Sequence, residues 1–231
     1  MIISDFFDFL YPDCCCGCNK HLGRSEKIIC TDCFLQLPLT FFEKKHLNPV
    51  SNELFARVPI KEACAAFHFV KEGTLRKMLH LLKYCGNKNI GIFLGRQLGK
   101  ILANSGNYKT VDCIVPVPIN EKKRKFRGYN QSEIIAMGIC EYLPRPLVCD
   151  VLIKPATSES QTKKSRYERY ENLLDGFTCC KSTLASLENK HVLLVDDVIT
   201  TGATVESCVK ELLNIRGVSV SVAAVASSVL S

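Results

Sequence analysis

The chain has 231 residues, of which 47% are hydrophobic and 23% charged. That is ordinary for a globular protein and allows one full α/β domain with a small appendage, so a real core is expected. The formal charge of +7 suits phosphate-rich ligands without choosing among them. No uninterrupted apolar run approaches the ~20 residues that span a bilayer. Met1–Leu10 carries Asp5 and Asp8 and no Lys or Arg, unlike a secretory signal. These features predict a cytoplasmic protein with no membrane insertion, in a compartment where fourteen cysteines do not form disulfides.

Residues 14–33 read CCCGCNKHLGRSEKIICTDC. Cys15 and Cys18 form one C-x-x-C pair and Cys30 and Cys33 a second, with eleven residues between the pairs. Each pair can grip a tetrahedral ion from a tight turn, and thiolates favour zinc over harder ions. A piece this small buries little core, so a structural zinc would supply its folding energy. Iron fits the same ligands, Cys14 is an alternative to Cys15, and His21 lies within reach in sequence. The remaining cysteines read as small buried hydrophobes.

Residues 34–60, with Pro38, Pro49 and Pro59, read as a linker or short irregular connection. From about residue 62, strand and helix patterns alternate, which predicts an open, mostly parallel sheet flanked by helices. GTLRKMLHLLKY (73–84) places Leu75, Met78, Leu79 and Leu82 on one helical face, with Arg76, His80 and Lys83 turned away. Residues 91–103 and 132–142 are helical, and VDCIVPVPI (111–119) is a buried strand running into prolines. VLLVDD (192–197) has the continuous apolar run of a central strand covered on both faces. A helix over Thr204–Arg216, a C-terminal Gly217 and a last strand, VSVSVAAVA, complete the pattern. His191 precedes the central strand with no partner evident in the sequence.

The string VLLVDDVITTGAT (192–204) runs from an apolar strand through two carboxylates and a Thr/Gly loop into a helix. Ligands of open α/β sheets bind beyond the carboxyl ends of strands, where this loop falls. Its backbone N–H groups, threonine hydroxyls and helix N-terminus form an anion site, and Gly202 admits close approach. Acids directly before a phosphate cradle suit a ligand with both phosphate and hydroxyls, such as a ribose 5-phosphate. A plain capped polar turn is the other reading of such a junction.

The string resembles the signature by which type I phosphoribosyltransferases bind phosphoribosyl pyrophosphate (PRPP). The wider chain resembles the ComF family (ComF/GntX-like, amidophosphoribosyltransferase-like competence proteins), and the likeness runs nearly end to end. It is carried by the four-cysteine segment, LHLLKY (79–84), IVPVPI (114–119), RGYNQS (127–132), SQTKKSRYERYEN (160–172) with GF at 176–177, and DDVITTGAT (196–204). Two departures stand out: Tyr129 where the family more often has Phe, and KKS at 163–165 where Leu-Ser is usual.

The resemblance implies a type I phosphoribosyltransferase domain over 49–231, preceded by a double-zinc-ribbon-like module and linker over 1–48. It implies that Thr200, Thr201, Gly202, Ala203 and Thr204 hold the 5-phosphate of PRPP. Asp196 and Asp197 would engage the ribose hydroxyls, directly or around Mg²⁺. Val115, Pro116, Val117 and Pro118 would receive pyrophosphate. Lys83, Arg127, Asn130, Gln131, Gln161, Arg166, Arg169 and Asn172 would contact pyrophosphate or an acceptor. The acceptor itself would be recognised by a variable hood, expected over residues 50–70.

Two functions stay open on this reading. One is an enzyme that transfers a phosphoribosyl group, without a glutaminase half in this chain. The other is a non-catalytic competence factor that senses PRPP or binds single-stranded DNA or competence-machinery proteins. The basic run KKRKFR (122–127) is a solvated loop, a pyrophosphate lid or a nucleic-acid contact interleaved with Phe126, Tyr129, Tyr167 and Tyr170.

Overall fold

The apolar run ahead of the two aspartates is the middle of a parallel sheet, as its lack of alternation predicts. The structure is a computed structural model and describes residues 13–155 and 176–229. In chain order the elements are α1 (Thr31–Leu35), α2 (Pro49–Phe55), β1 (Ala63–His68), α3 (Thr74–Tyr84) and α4 (Lys88–Ser105). They continue with β2 (Cys113–Pro116), α5 (Glu121–Arg127), α6 (Gln131–Cys140), β3 (Leu152–Ile153) and β4 (Thr178–Cys179). The last are α7 (Leu184–Leu187), β5 (His191–Ile199), α8 (Ala203–Leu213) and β6 (Ser219–Ser227).

Four strands form one sheet in the order β1-β6-β5-β2, with every neighbouring pair parallel. The small strands β3 and β4 pair antiparallel to one side. Val192–Val195 and Val222–Ala226 are buried, because helices cover both faces. The register sets Val195 against Pro116 and Asp196 against Ala224, so Asp196 emerges level with the chain just after β2. The Val117 N–H extends that ladder by donating to Val195 O at 2.8 Å.

Both sheet edges are covered, which removes templates for edge-to-edge pairing. Leu39 bridges Phe67 beside β1, with Thr40 N–H donating to Ala66 O and His68 N–H to Pro38 O. Leu147 bridges Ile114 beside β2.

Helices α4 and α6 cross at backbone contact. A Cβ on Gly95 would lie 2.0 Å from Ile135 O, and one on Gly138 would lie 2.3 Å from Ile92 O. Backbone carbonyls cannot step aside as side-chain tips can, so only hydrogen fits at this crossing. Gly95→Ala is therefore expected to lower stability by about 2 kcal/mol or more, although alanine is the better helix former by about 1 kcal/mol. A urea midpoint equal to that of the wild type would contradict this crossing.

The described helices and strands follow the expected pattern with several departures: the basic run 122–127, read as a loop, lies in helix α5, the antiparallel pair β3 and β4 has no counterpart in that pattern, and the stretch read as a linker holds a helix. Residues 49–55, expected within a linker, form a helix whose Val50, Ser51 and Leu54 are fully buried. Asn48 and Ser51 make a reciprocal capping box, and Pro49 takes the first helical position, where a missing N–H costs nothing. The three prolines read as linker punctuation; one of them is a helix start.

His191, unassigned from the sequence, is buried at the start of β5. Its Nδ1 lies 2.9 Å from Thr110 Oγ1 and its Nε2 2.8 Å from Ser221 Oγ. Burial, and then the Lys61 charge, hold its pKa below the ordinary histidine value. It clasps the far end of the sheet from the acidic pair.

Candidate phosphate cleft and cysteine cluster

At the carboxyl end of β5 the chain makes a cup lined by Asp196, Val198–Val205 and the first turn of α8. Gly202 adopts φ +72°, a left-handed conformation that favours glycine, and sits just ahead of α8. The backbone N–H groups at this helix start have no intrahelical acceptor and carry the positive end of the helix dipole. Thr200, Thr201, Gly202, Ala203 and Thr204 all line the cup, so the five residues expected at a phosphate are brought together.

Beside the cup lies a cleft of about 360 Å³. Of the residues singled out in the sequence, Lys83, Val117, Pro118, Arg127, Gln131, Asp196, Asp197, Thr200 and Thr204 line it. Both aspartates are buried. Asp196 Oδ1 accepts the Asp197 N–H at 2.8 Å and the Ser132 hydroxyl at 3.2 Å. Burial, and then the adjacent Asp197 charge, push the Asp196 carboxyl up to about 7, against the pull of that N–H and of Lys83. Lys83, expected on the polar face of α3, places its Nζ 2.9 Å from Asp197 Oδ2. Among the described residues that oxygen accepts no hydrogen bond of normal geometry. A buried carboxylate oxygen left in this state suits a ligand hydroxyl or a hard cation such as Mg²⁺.

Other expected residues lie elsewhere. Val115 and Pro116 are buried in β2 and do not line the cleft. Asn130 is buried as the N-cap of α6: its Oδ1 accepts Ser132 N–H at 3.1 Å and its amide donates to Val117 O at 3.0 Å. It fixes the loop after β2 rather than facing the cleft. Gln161, Arg166, Arg169 and Asn172 lie outside the described residues. No residue of 50–70 lines the cleft. Part of that stretch is the edge strand β1 and part is α2, so the described residues show no hood there.

Two further lysines complete the cleft: Lys123 on α5, within the basic run 122–127, and Lys154 just after β3. Lys154 is half-buried, with its ammonium 4.7 Å from the centre of the Phe177 ring. Burial, and then the Lys123 charge, hold its pKa below the usual lysine value. Among the described residues neither lysine has a carboxylate in ion-pair contact. Two cations facing one cleft with no carboxylate in contact repel each other, and a polyanion between them would relieve that cost. Lys154 stands outside every motif, which is why sequence reading passed it over.

At the other end of the chain, the sulfurs of Cys15, Cys18, Cys30 and Cys33 all lie within 4.8 Å of one another. Cys18 Sγ and Cys30 Sγ are 3.7 Å apart. Four thiolates at about 2.3 Å from a tetrahedral zinc stand about 3.8 Å apart, so the cluster is compatible with a metal such as zinc. Burial pushes the Cys15 thiol up, but N–H groups of Cys18, Cys30 and Gly17 outweigh it and bring it down to about 6. The Gly17 and Cys30 N–H groups donate to Cys15 Sγ at 3.4 and 3.2 Å. Cys33 is pushed up to about 12 by burial and by the neighbouring thiols, the response of a thiol set that needs a cation. Among the described residues the cluster contains Cys15 and neither Cys14 nor His21, which bridge each other instead. The cluster seats on α3, where Lys77 Nζ donates to Gly17 O at 2.8 Å.

A parallel sheet with an acidic pair, a Thr/Gly phosphate loop and a helix at the end of its central strand defines the type I phosphoribosyltransferase fold. The family described as Phosphoribosyl transferase domain matches residues 130–228, which hold α6, β5, the loop and α8. Competence protein F of Haemophilus influenzae is 31% identical over 110 residues, covering 48% of this chain and 47% of that protein. DNA utilization protein YhgH of Escherichia coli K12 is 25% identical over 201 residues, covering 86% of this chain and 83% of that protein. Competence protein ComFC of Bacillus subtilis is 32% identical over 100 residues, 43% of this chain and 38% of that protein. The two competence proteins are thus matched over less than half their own length. The chain is therefore similar to competence and DNA-utilization proteins, and its matched stretch 130–228 carries a phosphoribosyltransferase domain. No helix of the described residues is long and apolar enough to cross a membrane.

Proposed function

We propose that this chain binds PRPP with Mg²⁺ in the cleft at the end of β5 and transfers its phosphoribosyl group to an amine or nucleobase acceptor. The observation that carries the reading is an anion cup adjoining a cleft that holds a buried acidic pair and two lysines with no carboxylate in ion-pair contact among the described residues. The 5-phosphate takes the cup at Thr200–Thr204, and the ribose hydroxyls meet Asp196 and Asp197. The diphosphate lies toward Lys123, Lys154, Arg127 and the backbone of 117–120. Where Mg²⁺ is bound, Asp196 and Asp197 are the residues that would hold it or the hydroxyls beside it, and it supplies charge neutralisation to the diphosphate.

The reaction breaks the bond between C1 of the ribose and a pyrophosphate oxygen. Pyrophosphate leaves with the bonding pair, and the acceptor nitrogen bonds to C1 and releases its proton. The protein's part is to fix the phosphate and ribose while lysines face the oxygen on which charge develops. The cysteine cluster, with the linker to about residue 48, is a structural zinc module on a domain spanning 49–231, in a cytoplasmic protein.

The test is pyrophosphate release from PRPP across a panel of bases and amines. Release above blank with one acceptor class is expected; none with any acceptor would leave binding without transfer. Lys154→Met is expected to weaken inorganic pyrophosphate at least tenfold and to leave ribose 5-phosphate within about twofold, read by calorimetry. Equal losses for both ligands would contradict the placement of the diphosphate.

A second reading has an observation of its own. Tyr84 on α3 is 57% exposed, Arg127 lies over its ring at 5.4 Å, and His80 packs against it at 4.9 Å. Stacked aromatic and basic groups beside the cleft suit a single-stranded nucleic acid, and the relatives named for competence and DNA utilization point the same way. Tyr84→Ala is the discriminating variant. Loss of oligonucleotide binding with PRPP binding intact would support a DNA-handling factor.

A further inference from the structure

The outer wall of the phosphate cup is built by a residue 144 positions away in sequence. Arg57, just after α2, donates from Nη1 to Thr201 O at 2.7 Å. Its Nη2 bonds Glu53, and the same Nη1 stands 3.5 Å from Glu206 Oε2 in the first turn of α8. Glu206 is buried, and its other oxygen pairs with Lys210 Nζ at 2.7 Å. Leu54, fully buried, backs the loop, with its Cδ2 3.2 Å from where a Cβ on Gly202 would stand.

Two consequences follow from elementary geometry and charge. In a trans peptide the carbonyl and the following N–H point in opposite directions. Drawing Thr201 O outward to the guanidinium therefore turns the Gly202 N–H inward to the cup. A carboxylate in the first turn of an anion-binding helix would also oppose a bound phosphate, and Arg57 with Lys210 offsets that charge from behind.

We infer that Arg57 is the positioning residue of the phosphate loop: it pins the Thr201–Gly202 peptide in its phosphate-receiving orientation and screens Glu206 from the bound anion. The inference rests on the phosphoribosyl reading for the identity of the anion. It does not need that reading for the pinned peptide. Arg57 touches no substrate atom in this scheme and acts through the loop.

The experiment compares full-length wild type with Arg57→Ala and Arg57→Lys. Calorimetry reads ribose 5-phosphate and inorganic pyrophosphate, and hydrogen–deuterium exchange reads residues 199–204 without ligand. Arg57→Ala is expected to weaken ribose 5-phosphate at least tenfold, leave pyrophosphate within about threefold, and speed exchange of the loop. Arg57→Lys is expected to recover part of the affinity, because a cation again faces Glu206 while the two-pronged geometry is lost. Adding Glu206→Gln to Arg57→Ala should restore the charge component alone. Unchanged ribose 5-phosphate affinity and unchanged loop exchange in a folded Arg57→Ala protein would overturn the inference. A wild type that binds neither ligand would instead remove the phosphoribosyl reading, and the exchange measurement would decide the pin by itself. If Arg57→Ala does not fold, Arg57→Lys carries the same comparison: exchange and affinity both equal to wild type would count against a two-pronged anchor.

Discussion

Asp196→Asn should make the ligand-free protein more stable above pH 7, by about 2 to 4 kcal/mol. Asp196 is buried beside Asp197, and its pKa is raised from 3.8 to about 7 by burial and by that neighbouring charge. A raised folded-state pKa contributes stability that is fully present below the unfolded value and is lost as pH rises through the folded one. The charged carboxylate is therefore a net cost above about pH 7, and the cost shrinks as pH falls toward 4. Asparagine keeps an oxygen for the Ser132 hydroxyl and the Asp197 N–H and carries no charge. The advantage of the variant in a thermal melt should accordingly be largest at pH 8 and vanish near pH 4. An advantage independent of pH would contradict the burial argument. A carboxylate kept where it destabilises the free protein is consistent with a role toward a ligand.

If the cysteine cluster holds zinc, as proposed, removing the metal should cost more than the module alone. Cys15, Ile29, Cys30, Cys33 and Leu37 belong to the same buried cluster as β1 and α4. The segment that follows, Pro38–Thr40, covers the edge of β1. Structural zinc contributes on the order of 10 kcal/mol to folding in isolated finger peptides. Here the module also packs on α3 and α4, through Lys77 to Gly17 and the edge contact of Phe34 with Phe93. Cys30→Ser is expected to lose bound zinc and about 3 kcal/mol or more, a fall of about 10 °C in melting temperature. Aggregation should follow as the β1 edge is uncovered. Metal analysis finding no zinc in the wild type, or a melt unchanged by Cys30→Ser, would contradict this account.

Much of this was legible in the residues. The Val–Leu run into two acids marked the central strand, and the Thr/Gly loop marked the cup, because local chemistry determines both. The two C-x-x-C pairs marked the four-cysteine cluster, which among the described residues holds Cys15 rather than Cys14. What escaped were residues whose role depends on tertiary placement. Arg57 and Leu54 sat in a proline-marked stretch read as linker, although Asn48-Pro49 with Ser51 is a helix start. Lys154 belongs to no motif and gains meaning only from the cleft it enters. Asn130 kept its place in a motif while its side chain turned to capping.

The central claim, a PRPP site formed by the acidic pair and the Thr/Gly loop, is tested most directly by calorimetric titration of PRPP with Mg²⁺. The full chain is compared with the double variant Asp196→Asn/Asp197→Asn. One saturable site in the wild type, weakened at least a hundredfold in a folded double variant, is the predicted result. No binding by a folded, zinc-loaded wild type, or equal binding by both proteins, would contradict it.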